Sequence, residues 1–331
     1  MREAQRAVVF SVGDDRVASS RVRAGSVVRE LSRDGWSCHR VSAGSTKAIA
    51  TTIANAFFGK DLVVVQKLTP SLIAGWLIRR RARRLAYEID DAIYLGYPGD
   101  STRISQKRAR RLFRFLKHVD VLVTSNELIA NDLRDKLRPG TPVHIAPGPA
   151  PSIPTLVEPE AGPRSSVLWL GSPSTYPLVS PYLSAIGAAA ADLGLTFVVV
   201  GAPDSVTSAS ASISAWSPEA AQESLSNARL GVMPMTWDAW SRRKAAYKIL
   251  EYLANGVIPV AEDSPAIRTL LGEERHELGV FYAHAETVDW TEVFQRALHV
   301  DVDEAWKRTR RRVFDRWSEQ RFAMLFVEDN V

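Results

Sequence analysis

Lys244, Lys248 and Glu251 stand in the run KAAYKILEYLANGVIPVA, residues 244–261. At helical spacing these three side chains and Asn255 fall within about 60° of one another, while Ala245, Ile249, Leu250, Tyr252 and Leu253 cover the other side. Two cations in line suit the charge of a diphosphate, and a carboxylate one turn further on can accept both hydroxyls of a ribose. A solvated stripe on an ordinary core helix would give the same pattern. Asn255-Gly256 stops the predicted helix as a left-handed cap does, and residues 257–261 read as a short buried strand.

Other candidates lie where predicted strands end. Gly171-Ser172 ends a strand over 165–172, Gly201 lies at the end of one over 195–202, and Met235 closes one over 229–235. Glycine there lets a ligand approach the backbone, and a following helix N-terminus suits phosphate, although a plain turn uses glycine just as well. Asp90 and Asp91 end a strand over 84–90 and so point into the expected cleft; a helix cap with a surface partner would use the same residues. Ser20, Arg21 and Arg23, in SSRVR after the first strand, are candidates for acceptor or phosphate contact, and the arginines fit a solvated surface equally. Asp301-Val302-Asp303 has the spelling of a metal-binding D-x-D but follows no strand end, and the six histidines show no ligand spacing. No metal is expected.

Alternating strands and helices must position these residues. Strands are expected at 7–12, 37–42, 61–67, 84–90 and 119–125, with a helix over 23–35, another entered through Thr69-Pro70, and a third capped by Ser125 or Asn126. Residues 146–166 carry six prolines, too rigid and donor-poor for an element interior. A second series follows it. The expected division is an N-terminal unit over 1–150, a proline-rich linker over 151–164, a C-terminal unit over 165–315 and a terminal helix over 316–331. At 331 residues and 46% hydrophobic content the chain is large enough for two cores. Such α/β units bind ligands at the carboxyl ends of their strands.

The run 229–267, with YEIDDAIY (87–94) and the stretch 121–151, resembles retaining GT-B glycosyltransferases of the group called family 4. The resemblance extends over nearly the whole chain. It implies two Rossmann-like doubly wound domains facing a central cleft, an N-terminal acceptor side, and a C-terminal domain that binds a nucleoside-diphosphate sugar. It also implies that the terminal helix crosses back to the first domain. Glu251 matches the family glutamate that binds ribose, Lys248 a position facing the donor phosphates, and Asp90-Asp91 a pair near the acceptor and the transferring sugar. Arg243 stands where the family has a first glutamate, and the loop GSPSTYP (171–177) lacks the basic residues that relatives point at the diphosphate. Arg243, Lys244 and Lys248 are therefore the expected neutralising cations, with Gly171, Ser172, Gly201 and Met235 completing the donor side. The implied activity is a hexosyltransferase-type transfer to a hydroxyl or amine of a glycan, lipid-linked or small-molecule acceptor, with retention and no cofactor. A sugar-nucleotide isomerase and a non-catalytic sugar-nucleotide or polyanion binder are the alternatives.

The net charge of +5 is clustered at 79–84, 107–117 and 307–312. A helix over 103–118 carries Leu112, Phe113, Leu116 and Val119 beside its cations, a pattern that points to a membrane-surface or polyanion role, with a solvated helix face as the alternative. Nucleic acid is a weak expectation, since no zinc-finger spacing or RNA-binding aromatic pattern accompanies the charge. The lone Cys38, the lack of a long apolar run and the absence of a signal-peptide pattern lead to a cytoplasmic expectation, with peripheral contact at the inner membrane face.

Overall fold

The computed structural model describes residues 4–43, 60–96, 102–151, 164–236 and 238–328. The chain forms two compact units. The first comprises Met1–Ala150, Arg243–Ala245 and Arg316–Val331, and the second Pro151–Arg242 and Ala246–Asp315. The proline-rich connection read from the sequence falls almost wholly on residues 152–163, outside the described residues.

In the first unit β1 (Arg6–Ser11), β2 (Ser37–Ser42), β3 (Lys60–Gln66), β4 (Ala82–Ile89), β5 (Val121–Thr124) and β6 (Val143–Ile145) make one sheet in the order β2-β1-β3-β4-β5-β6. Every pairing is parallel. Runs such as Val63–Val64–Val65 and Val121–Leu122–Val123 are apolar at consecutive positions because helices cover both faces. Phe322 and Phe326, from and just beyond the helix Glu319–Met324, are buried with Val9, Val27 and Val123 in this core. Arg84 fixes the end of that segment, donating from Nε to the Phe326 carbonyl at 2.8 Å and from Nη2 to that of Glu328 at 3.0 Å.

The second unit repeats the layering with β7 (Ser166–Leu170), β8 (Thr196–Val200), β9 (Ser212–Ser214), β10 (Ala228–Met233), β11 (Ile258–Glu262) and β12 (Val280–Tyr282), in the order β12-β11-β10-β7-β8-β9. These pairings are parallel too. Strand order turns back between β1 and β3 in one unit and between β7 and β10 in the other. Outside the carboxyl ends at such a point, neighbouring connections leave in opposite directions and open a crevice.

Three expectations need correction. The helix expected from Lys244 runs only over Tyr247–Ala254, after a single tight turn at Ser241–Arg243. The Arg243 carbonyl, which a continuous helix would give to the Tyr247 amide, accepts from Asn126 Nδ2 at 2.9 Å, so Lys244 lies outside the helical stripe. The basic helix, observed at Thr102–Leu116, turns Leu112 and Leu116 into the core with Phe115, as does Val119 just beyond it, so most of the apolar face expected beside its cations is core; Phe113 is half-buried and Ile104 exposed. Arg23 is not a solvated arginine. It is buried in a π-helical turn, Ser20–Ala24, which precedes the α-helix Gly25–Arg33.

Candidate functional site

At the carboxyl edge of the first sheet, Lys67, Asp90 and Asp91 form a buried cluster. β3 delivers Lys67 immediately after Gln66, and β4 delivers the two aspartates immediately after Ile89. Lys67 Nζ donates to Asp91 Oδ2 at 2.6 Å and lies 3.0 Å from Asp90 Oδ1; Lys244 Nζ is 3.8 Å from Asp91 Oδ1. Burial pushes the Asp91 carboxyl up, but the charges of Lys67 and then Lys244 outweigh it and hold the group well below the usual carboxylate range. Asp91 is therefore a fixed anion. Lys67 is held in the left-handed backbone region at φ 54, its amide donating to the Glu88 carbonyl at 2.9 Å. A non-glycine residue held there costs on the order of 1 kcal/mol or more, tolerated where surrounding contacts over-determine it.

Behind this cluster Arg23 Nε donates to Glu88 Oε1 at 2.5 Å, Nη2 donates to the Ala146 carbonyl at 3.2 Å, and the guanidinium lies 4.8 Å from the Phe322 ring centroid. Burial pushes the Glu88 carboxyl upward against the pull of Arg23. Ser20 Oγ accepts from the Gly13 amide at 3.1 Å, and Arg21 donates to the Asp15 carbonyl at 2.7 Å. Of the SSRVR residues, Arg23 is thus committed to the interior. Arg243 is committed as well: Nε and Nη2 donate to Asp132 Oδ2 at 2.5 Å and Oδ1 at 3.0 Å, and Tyr94 Oη donates to the same carboxylate at 2.6 Å. The cation expected to replace a family glutamate has its own carboxylate.

In the second unit, β10 feeds the helix Tyr247–Ala254, which runs back to the start of β11. Its first turn therefore lies at the carboxyl edge. Lys248 is in that turn, and Glu251 one turn on forms an ion pair with it, both half-buried. Ile249, Leu250, Tyr252 and Leu253 are buried on the other side. Tyr252 Oη reaches between β7 and β10, accepting from the Leu170 amide at 3.1 Å and lying 3.1 Å from the Val232 carbonyl. Gly231, in β10, faces that ring: a Cβ there would come within 2.5 Å of it.

Gly171 and Gly201 are needed for packing by the chain itself. A Cβ on Gly171 would meet the Trp169 ring at 2.1 Å, and one on Gly201, at φ +93, would meet the Gly171 carbonyl oxygen at 2.3 Å. Their amides are also in use, donating to Val200 O at 2.9 Å and Ser214 O at 2.8 Å, while the Ser172 amide donates to Thr175 Oγ1 at 3.0 Å. These three amides are spent within the fold.

Met235 lies in the wall of a cavity of about 270 Å³ with Glu262, His284, Ala285, Glu286 and Thr287. Glu262 ends β11, and its Oε2 accepts from the Ala285 amide at 3.4 Å. Burial, with the charge of Glu286 adding to it, pushes the Glu262 carboxyl up to about 7. Sequence reading missed Lys67 and Glu262. Each is a charged residue at the carboxyl end of a strand with a run of apolar residues before it, and that contrast was the available signal. Among the described residues there is no group of three or more acidic, histidine or cysteine side chains arranged for a metal ion.

Two such units, each built on a parallel sheet, have the fold of GT-B glycosyltransferases. The chain is similar to sucrose-phosphate synthase from Thermosynechococcus elongatus, with a TM-score of 0.65 and 13% identity over 97% of this chain and 96% of that one. It is similar to an α-glucosyltransferase in complex with UDP-glucose and DNA containing an abasic site, at 0.60 and 12% over 97% and 98%. The catalytic domain of starch synthase IV from Arabidopsis thaliana, bound to ADP and acarbose, matches at 0.59 and 10% over 98% of each. At these identities the likeness establishes the fold. No protein-family model matches the sequence, and no curated protein is similar to it at a significant level.

Proposed function

We propose that the chain transfers a sugar from a nucleoside-diphosphate sugar to an acceptor hydroxyl or amine, with retention at the anomeric carbon. In this reading the second unit holds the donor and the first presents the acceptor side, consistent with a fold shared with enzymes whose structures hold UDP-glucose or ADP. The bond from the anomeric carbon to the diphosphate oxygen breaks, the acceptor atom takes its place, and the acceptor proton leaves. Negative charge grows on the departing diphosphate, and a preorganised cation stabilises that state more than the ground state. Lys248 is the cation assigned to this role, and Glu251 the acceptor for the ribose hydroxyls. Asp91, kept ionised, accepts a hydroxyl of the sugar or acceptor, with Asp90 beside it. Lys244 neutralises that carboxylate; the reading needs no metal.

The observation that carries the reading is the half-buried Lys248–Glu251 pair on the only polar side of a helix leaving the switch point of a parallel sheet. With the Gly171, Ser172 and Gly201 amides spent, diphosphate recognition depends on the lysine. The protein should bind a nucleoside diphosphate more tightly than the matching monophosphate, and Lys248→Ala should erase most of that preference. Glu251→Gln should weaken both ligands by about tenfold or more. Calorimetric titrations of both ligands against the three proteins test this. A preference that survives Lys248→Ala would return the stripe to a solvated surface, and release of nucleotide from a sugar donor only when an acceptor is present would establish transfer.

A further inference from the structure

Among the described residues of the first unit, the most exposed large apolar side chains cluster on the helix Leu72–Arg81, whose sequence LIAGWLIRRR shows little amphipathic pattern. Leu72, Ile73 and Trp76 are exposed to 61%, 74% and 56%. Leu72, Trp76 and Arg80 succeed one another at a spacing of four and Ile73 flanks them, so the four share one face. The opposite face is satisfied. Gly75 and Ile78 are buried, and a Cβ on Gly75 would come within 3.1 Å of Phe115 on the neighbouring basic helix. The exposed residues are thus left over after the core has been built.

We infer that this face seats on an anionic lipid bilayer. Three large apolar side chains within five residues form an insertion patch, and tryptophan suits the headgroup boundary because its ring is amphipathic. Arg80 lies over the Trp76 ring, with Cζ 5.0 Å from the centroid, which places a cation at the polar margin of the patch. Arg81 is exposed at the same end. The neighbouring helix adds Lys107, Arg110, Arg114 and Lys117, all exposed and without an ion pair to any described residue. Cations beside the apolar patch complement phosphate headgroups and would repel their own copies across a twofold contact, which disfavours a second chain as the occupant. A soluble polyanion would use the charge but gain nothing from Leu72 and Ile73. The helix opens just after the strand that delivers Lys67, so the patch adjoins the carboxyl edge that carries Asp90 and Asp91.

Co-sedimentation with vesicles of phosphatidylcholine alone, and of phosphatidylcholine mixed with phosphatidylglycerol, tests the inference. The wild type should pellet with the mixed vesicles, less so as salt rises, and hardly with the neutral ones. The Leu72→Ser, Ile73→Ser, Trp76→Ser triple variant should lose at least about tenfold in partitioning, and Arg80→Glu should lose the preference for the anionic lipid. The substituted positions are exposed, and unchanged circular dichroism and thermal midpoint confirm that the variants fold. Failure of the wild type to pellet overturns the inference. So does equal binding by the triple variant, which would mean charge alone, or a concentration-dependent dimer that the triple substitution dissolves.

Discussion

Asp91 and Glu262 show how one chemical group, the carboxyl, acquires opposite properties from its surroundings. Two lysines keep Asp91 ionised, so Asp91→Asn removes a fixed charge from the proposed acceptor side; turnover should fall at least about 100-fold, with nucleotide affinity little changed. Steady-state kinetics beside a nucleotide titration check this, and an active variant would make the pair structural. Glu262 has no cation and is pushed from 4.5 to about 7. The folded protein then keeps a proton that the unfolded chain releases. The contribution of this group to stability is complete below about 4.5 and is lost as pH rises through about 7. Thermal midpoints measured across that window should fall for wild type relative to Glu262→Gln, and parallel curves would show that Glu262 titrates normally. Neither Lys67 nor Glu262 stood out in the sequence, because a single charge after an apolar strand looks the same whether it meets a partner, a cavity or water.

Among the elements, strands and turns were the legible part. Consecutive valines at 63–65 and 198–200 read correctly as parallel strands, and Gly256, at φ +66, ends its helix as expected. The helix before it was misjudged at its start, because local periodicity does not record that Asn126, more than 100 residues earlier, takes the Arg243 carbonyl. The basic helix shows a related limit: Leu112 and Leu116, which are buried in the core, keep the same spacing whether a core or a bilayer covers them. The turns after β7 and β8 give a test at this scale. Gly201→Ala would force a side chain into the left-handed region and against the Gly171 carbonyl, two strains that only a backbone shift relieves. It should destabilise the second unit by at least about 1 kcal/mol, read by hydrogen exchange in β7 and β8. Unaltered protection there would mean that the loops yield freely.

Over the whole chain, the alternation of strands and helices was enough to indicate two parallel-sheet layers, and the coordinates contain them. Membership of the last residues was less accessible, since RWSEQRFAMLF would suit either unit by composition. Arg316–Val331 packs with the first unit: the Ala150 amide donates to the Trp317 carbonyl at 2.6 Å, and Phe326 is fully buried there. Phe326→Ala should cost that unit about 3–5 kcal/mol. Because two units need not unfold together, one global free energy is a poor readout. Residue-resolved hydrogen exchange should show protection falling in β1 and β5 with β7 to β12 unchanged, and a uniform loss would mean that the units unfold as one.

The Tyr252 hydroxyl bears on the proposed donor site. Paired residues in β7 and β10 run only as far as Leu168 and Gly231. Beyond that point the phenol takes the Leu170 amide and reaches the Val232 carbonyl, closing the gap between the strands. A side chain wedged between two strands opposes rolling of the helix about its axis. In the proposed donor site, the azimuth of the adjacent Glu251 would thereby be set before a nucleotide arrives, so that little orientational entropy would be lost on binding.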